Sequence, residues 1–431
     1  MHRRGFLGSS LGAYMASPAA AQLASPNGAI QAAREVALDV LKPTRAQLER
    51  GMALHAQSLV VESYGFMPRA AIDGTEVARR IEEGASATEI QDMLEDQGMT
   101  RYVTVEAERK QYLDAWRASG VTCIIQNAGE EGSAPMRLIK RLARYTYVTH
   151  FLRGHVSQAV EPDDIVAAKK AGRHCVYMTG NGVPVPQDWM SVEEESAFIR
   201  IFFQLGIRMM HLTYNRRNMI GDGCGEPGNA GLSDFGQAVV REMNRQGVIV
   251  DVAHSGWRTS LEAAKASSKP MVASHTTCQA LHQHIRSKTD EIVRAICDTG
   301  GLIGICCISG FLGRSGDIAA MLDHIDYAVR KFGADHVAIG TDVAYTSSNA
   351  PAESRKLPRR GRQRVRWEAL WPPGSYGSNA TARQTQSLAW TNWPLFTVGM
   401  VQRGYSDSDI QKILGGNVMR VARANFDGVK L

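Results

Sequence analysis

Two runs decide the architecture: VIVDVAH at residues 248–254 and PMVASH at 270–275. Each is short, apolar and rich in β-branched residues, and each finishes on a histidine. Just upstream, DFGQAVVREMNRQ at Asp234–Gln246 sets Ala238, Val239 and Met243 at helical spacing,. Working outward, comparable runs recur at 58–63, 121–127, 174–180, 207–215, 302–309 and 337–342, which makes eight, and helical patterns such as Ile318–Phe332 lie between them. Runs that are apolar throughout rather than alternating belong to strands buried on both faces. Strand then helix, eight times over, predicts parallel strands closed into a (β/α)₈ TIM barrel. A doubly wound open sheet is the competing architecture, but no GxGxxG follows a strand,.

Two stretches interrupt the alternation. Residues 65–118 read as charged helices inserted after the first strand, and 345–390 form an Arg/Trp-rich insertion after the eighth. Trp367, Trp371, Trp390 and Trp393 in and beside the second insertion predict an aromatic lid,. The tail at 397–426 reads as two helices, with Ser406 placed to cap the second,.

The chain has 431 residues, 44% hydrophobic and 21% charged, with 41 Gly and 15 Pro, which excludes disordered, collagenous and coiled-coil classes and allows one large domain,. Residues 1–21 read as a leader: Arg3 and Arg4, a short apolar run to Ala16, then Ala19, Ala20 and Ala21 before Gln22,. Adjacent arginines predict twin-arginine export to the periplasm, leaving 22–431 as a single domain. The remainder carries no transmembrane signal. The formal charge of +6 is concentrated in RKLPRRGRQRVR at 355–366, seven basic residues and no acid, so no extended nucleic-acid footprint is expected,. That run reads as a solvated loop or as a grip for an acidic ligand or membrane surface. Seven cysteines without a CxxC pair do not read as a disulfide framework,.

The chemistry concentrates at strand ends. Parallel neighbours would set His254 and His275 side by side at the barrel mouth, and AIGTD at 338–342 adds Asp342 to the same rim,. His150 and His211 read as structural histidines.

Several stretches resemble the renal or membrane dipeptidases, metal-dependent amidohydrolases with a TIM-barrel fold: LGIR at 205–208 with LTYN at 212–215; GLS at 231–233 with FG at 235–236, leading to DVAH at 251–254; and GGN at 415–417 with Arg420 and Val421. The resemblance spans about 60–421. It implies two zinc ions sharing a bridging glutamate, and here the chain departs from the pattern. The first strand of the family ends Asp-x-His-x-Asp-x-Pro, whereas this chain has Glu62, Tyr64, Phe66 and Pro68. Gly180 falls at the bridging glutamate, and Tyr214 replaces the histidine of Leu-Thr-His.

What the resemblance preserves is the second metal's pair, His254 and His275, together with Asp342 as general base and Arg286, eleven residues after His275, as the group that holds a substrate carboxylate. Two histidines alone bind zinc weakly, so a third ligand is needed, with Asp342 and then Glu62 as candidates, the latter because strand alternation puts Glu62, Tyr64 and Phe66 on one face. Tyr64 and Tyr214 either donate hydrogen bonds to a developing oxyanion or fill space that ligands vacated. The leading expectation is an exported hydrolase of a small peptide, amide or other carboxylate substrate, using one zinc rather than two, or none. A homodimer is an allowed assembly. The alternatives are a homologue without peptidase activity that matures a peptide-derived metabolite, similar to the exported homologue of pyoverdine maturation, and a barrel that only binds a carboxylate.

Overall fold

The computed structural model describes residues 23–129, 133–188, 191–359, 366–375 and 380–429. The leader expected at 1–21 and residues 360–365 of the basic run lie outside them. Ten strands form: β1 (Val61–Gly65), β2 (Cys123–Asn127), β3 (Val156–Ala159), β4 (His174–Gly180), β5 (Ile207–His211), β6 (Ile249–Asp251), β7 (Val272–Cys278), β8 (Ser287–Lys288), β9 (Leu302–Ile305) and β10 (Val337–Ile339). Eight of them pair in the order β1-β2-β4-β5-β6-β7-β9-β10, all parallel. The sheet turns back on itself where Asp342 N donates to Tyr64 O at 3.3 Å. This is the expected TIM barrel, and its eight strands fall on the eight apolar runs. Two further strands were not legible. β3 offers only two apolar residues around Ser157 and Gln158, and β8 is two residues long.

Alternate residues fill the lumen. Val61, Ile125, Tyr177, Met209, Ile249, Val272, Leu302 and Ala338 form one buried cluster with Val418, Met419, Val421 and Ala422 of the helix Asn417–Phe426, which stoppers the N-terminal mouth. The residues between them, such as Ile124, Val176, Met210, Val250 and Ile303, pack outward against the helical layer. Each fully buried side chain of this size is worth roughly 1.5–3 kcal/mol. With one end stoppered by apolar packing, the C-terminal mouth is where polar side chains can collect.

The first insertion folds as the helices Gly74–Glu82, Ala87–Thr100 and Glu106–Ser119. In the tail, the Ser406 side chain accepts from Asp409 N and starts Asp407–Gln411, as its position predicted. The tryptophans do not form one lid. Trp390 packs edge-on against Trp116 at 5.3 Å and Trp393 begins the buried helix Trp393–Gln402, so both join the core. Trp371 sits apart from them, 5.8 Å from the Phe311 ring. The Trp367 side chain lies outside the described residues. Among the described residues no helix is long and apolar enough to cross a membrane.

Candidate metal centre

Two bulges aim the polar residues into the C-terminal mouth. Between Glu62 and Gly65, β1 carries one residue more than the facing Ile124–Gln126 of β2, and β7 does the same against β9 between Ala273 and Thr276. A bulge reverses the side on which the following side chains emerge. Glu62 precedes the bulge and, next to the lumen-facing Val61, points outward, where its carboxylate accepts from Trp390 Nε1 at 2.8 Å and Thr341 N at 3.1 Å. Tyr64 and His275 turn into the lumen, stacked with their ring centres 3.8 Å apart. Unbroken alternation, the basis for placing Glu62 and Tyr64 on one face, fails at this bulge, and Glu62 is removed as a ligand candidate.

The imidazoles of His254 and His275 face each other with Nε2 atoms 3.0 Å apart, both buried. Each is held from behind. Asn215 Oδ1 can only accept, so His254 donates from Nδ1 at 2.7 Å and directs an Nε2 lone pair at His275,. His275 Nδ1 lies 2.9 Å from Ser274 Oγ, which can serve either tautomer. When both Nδ1 atoms carry the proton, two lone pairs converge, an arrangement that a shared cation relieves. Burial pushes both imidazoles well below their ordinary pKa and the positive charge of Arg286 adds to this, so both are neutral at pH 7, the form that binds metal,.

His211, at the end of β5, and Asp251, at the end of β6, complete the cluster. Donor atoms of His211, Asp251 and His275 lie within 4.8 Å of one another. Asp251 Oδ1 accepts from Ala253 N at 2.9 Å and Ser274 N at 3.1 Å, while Oδ2 comes within 2.5 Å of His211 Nε2. That approach pairs the two side chains, and His211 Nδ1 is buried with no hydrogen-bond partner. Burial alone would raise the Asp251 carboxyl, but His211 and the Ser274 donors outweigh it and hold it below the usual value. Facing imidazoles, a buried carboxylate and the unpartnered Nδ1 of His211 at strand ends fit a first-row divalent ion such as zinc,.

The membrane dipeptidase model, peptidase family M19, matches residues 48–354. The chain belongs to the membrane dipeptidase family. Among curated relatives, the dipeptidase tcpJ of Claviceps purpurea is 26% identical over 273 residues, covering 62% of this chain and 55% of its own length. The dipeptidase verJ of Clonostachys rogersoniana is 26% identical over 229 residues. The chain thus spans about half the length of the curated relatives it matches. Among solved structures, an amidohydrolase from Pseudomonas aeruginosa superposes with a TM-score of 0.63 at 23% identity, covering 87% of this chain and 98% of that one. The probable dipeptidase PvdM of the same organism superposes at 0.61 and 18% identity, covering 88% and 98%.

Tyr64 and Tyr214, which depart from the pattern implied by the resemblance, have other partners. The Tyr64 hydroxyl donates to Asn181 Oδ1 at 2.8 Å, in the turn that follows Gly180. Its proton is committed to Asn181. Tyr214 stacks on His254 with ring centres 4.1 Å apart. Arg286 is buried and donates to the strand-end carbonyls of Ala253 and, at 3.2 Å, His275, so it ties β6 to β7 as it charges the site. Asp342 sits past β10 with a positive φ of 59°, a conformation Asp tolerates better than most residues, and neither it nor His254 belongs to the group of donors formed by His211, Asp251 and His275,. Its charge is felt instead at Glu62, Cys306 and Cys307. On sequence His211 reads as structural, and Asp251 carries no mark of its own. The available signal was their spacing: each is two residues beyond a lumen-facing Met209 or Ile249 and emerges on the same side,.

Proposed function

We propose that this dipeptidase-family chain hydrolyses a small peptide or amide with a single divalent ion, zinc first among the candidates. The observation that carries the reading is the facing pair His254 and His275, their Nε2 atoms 3.0 Å apart and each backed by its own polar partner. When bound, a divalent ion supplies a Lewis acid that polarises a carbonyl and lowers the pKa of water. The chain's own residues divide the remaining work. His254 and His275 stay neutral and fixed in orientation. The Asp342 carboxylate receives a proton at the rim, Tyr214 offers its phenol beside His254, and the buried charge of Arg286 favours a substrate carrying a free carboxylate. Tyr64 contributes its ring face.

The sequence departs from the family pattern at the positions where the resemblance implies a second ion, and Tyr64, one of them, donates to Asn181. This favours one ion over two. It also supports a second reading, in which the chain matures a peptide-derived metabolite without general peptidase activity. Residues 1–21 support twin-arginine export to the periplasm, with 22–431 acting as one domain. Turnover of a dipeptide panel by the zinc-loaded chain, abolished by His254→Ala, is the expected result. An inert panel combined with a changed metabolite profile in a deletion strain would favour the second reading.

A further inference from the structure

We propose that His211, aimed by Asp251, is the third imidazole of the ion site formed with His254 and His275. The inference rests on the single-ion reading above and names a residue outside the family pattern, whose fourth-strand histidine falls three positions later, at Tyr214.

Three observations support it. First, His211 is unlike the structural histidines of the same chain. His55 places Nδ1 2.8 Å from Thr397 Oγ1 and Nε2 2.8 Å from Ser119 O, and His324 accepts from Cys278 N at 3.1 Å and meets Leu312 O at 3.0 Å. His211 is equally buried, yet while its Nε2 lies 2.5 Å from the Asp251 carboxylate, its Nδ1 has no hydrogen-bond partner. A buried ring nitrogen without a partner is costly, so one inside a polar cluster marks a position suited to a ligand.

Second, the three rings form a near-regular triangle. Ring centres lie 5.5 Å apart for His211 and His254, 5.4 Å for His211 and His275, and 5.0 Å for His254 and His275. A tetrahedral ion bound by three imidazoles at about 2.0–2.1 Å holds their ring centres about 5 Å apart. Third, Asp251 is locked by two backbone donors with its second oxygen turned on His211, the carboxylate–histidine pairing by which metal-binding imidazoles are oriented,. Three protein nitrogens leave one position of a tetrahedral ion for substrate, as catalytic zinc sites do.

The competing account is a buried histidine–aspartate ion pair with no role in metal binding. X-ray absorption of the zinc-loaded, unaltered full chain separates the two without any substitution: three imidazoles around zinc are expected, and two would overturn the inference. In chelator competition, His211→Asn should weaken zinc binding by about 100-fold or more, and Asp251→Asn by about 10–100-fold. Unchanged affinity in His211→Asn would overturn His211 as a ligand while leaving the single-ion hydrolase standing. Failure of the unaltered chain to bind zinc or Co²⁺ would remove that reading and the inference together.

Discussion

Asn215→Ala probes how the metal centre is held without touching a ligand. Asn215 Oδ1 accepts from His254 Nδ1 at 2.7 Å and from Cys224 Sγ at 3.1 Å, whereas its Nδ2 is buried without a partner, so the carbonyl alone does the orienting. Its removal leaves His254 free to rotate and to adopt the tautomer that carries a proton on Nε2, which cannot bind an ion. Loss of such a partner weakens metal binding by roughly 10–100-fold, about 1.4–2.8 kcal/mol. At zinc near a hundred times the dissociation constant, the unaltered chain gains about 2.7 kcal/mol of stability. Spread over an unfolding entropy of roughly 2 cal/mol/K per residue, this raises the melting temperature by about 3 °C. At the same zinc concentration, a hundredfold weaker variant gains only about 0.4 kcal/mol, less than about 1 °C. Differential scanning calorimetry with and without zinc reads this directly, and Asn215→Asp, which keeps an acceptor, should retain most of the shift. A full zinc shift in Asn215→Ala would refute the claim that this contact positions His254 for metal.

Burial raises the Glu62 carboxyl from 4.5 to about 8 against the opposing bonds from Thr341 and Trp390, so the folded chain holds a proton there that the unfolded chain releases. Its stabilising contribution is complete below pH 4.5 and is lost as pH rises through about 8; Glu62→Gln should therefore gain on the unaltered chain between pH 5 and 8 by a few kcal/mol at most, as urea unfolding at both pH values would show,. Tyr64→Phe removes the bond to the buried Asn181 and should cost about 1–3 kcal/mol in denaturant unfolding while leaving zinc affinity unchanged,.

The fold was legible because its strands are apolar throughout and its helices keep their period, so the eight-strand barrel could be counted along the chain. His254 and His275 were legible because they end adjacent runs. What the sequence concealed follows from two bulges and one missing partner. A bulge leaves no mark on composition, so the inward turn of Tyr64, on the face opposite Glu62, was hidden until the register of β1 against β2 was seen. His211 resembles any apolar-run histidine until its Asp251 contact and its unpartnered Nδ1 are compared with the satisfied rings of His55 and His324. Trp371, Trp390 and Trp393, near one another in sequence, divide between the Phe311 stack and the core because Trp390 and Trp393 belong to a buried helix start.

Elemental analysis of the folded full chain, dialysed after exposure to zinc, tests the central claim most directly. The His254–His275 centre predicts about one zinc per chain, falling to near zero in His254→Ala. Retention of two ions, or none in the unaltered chain, would contradict it.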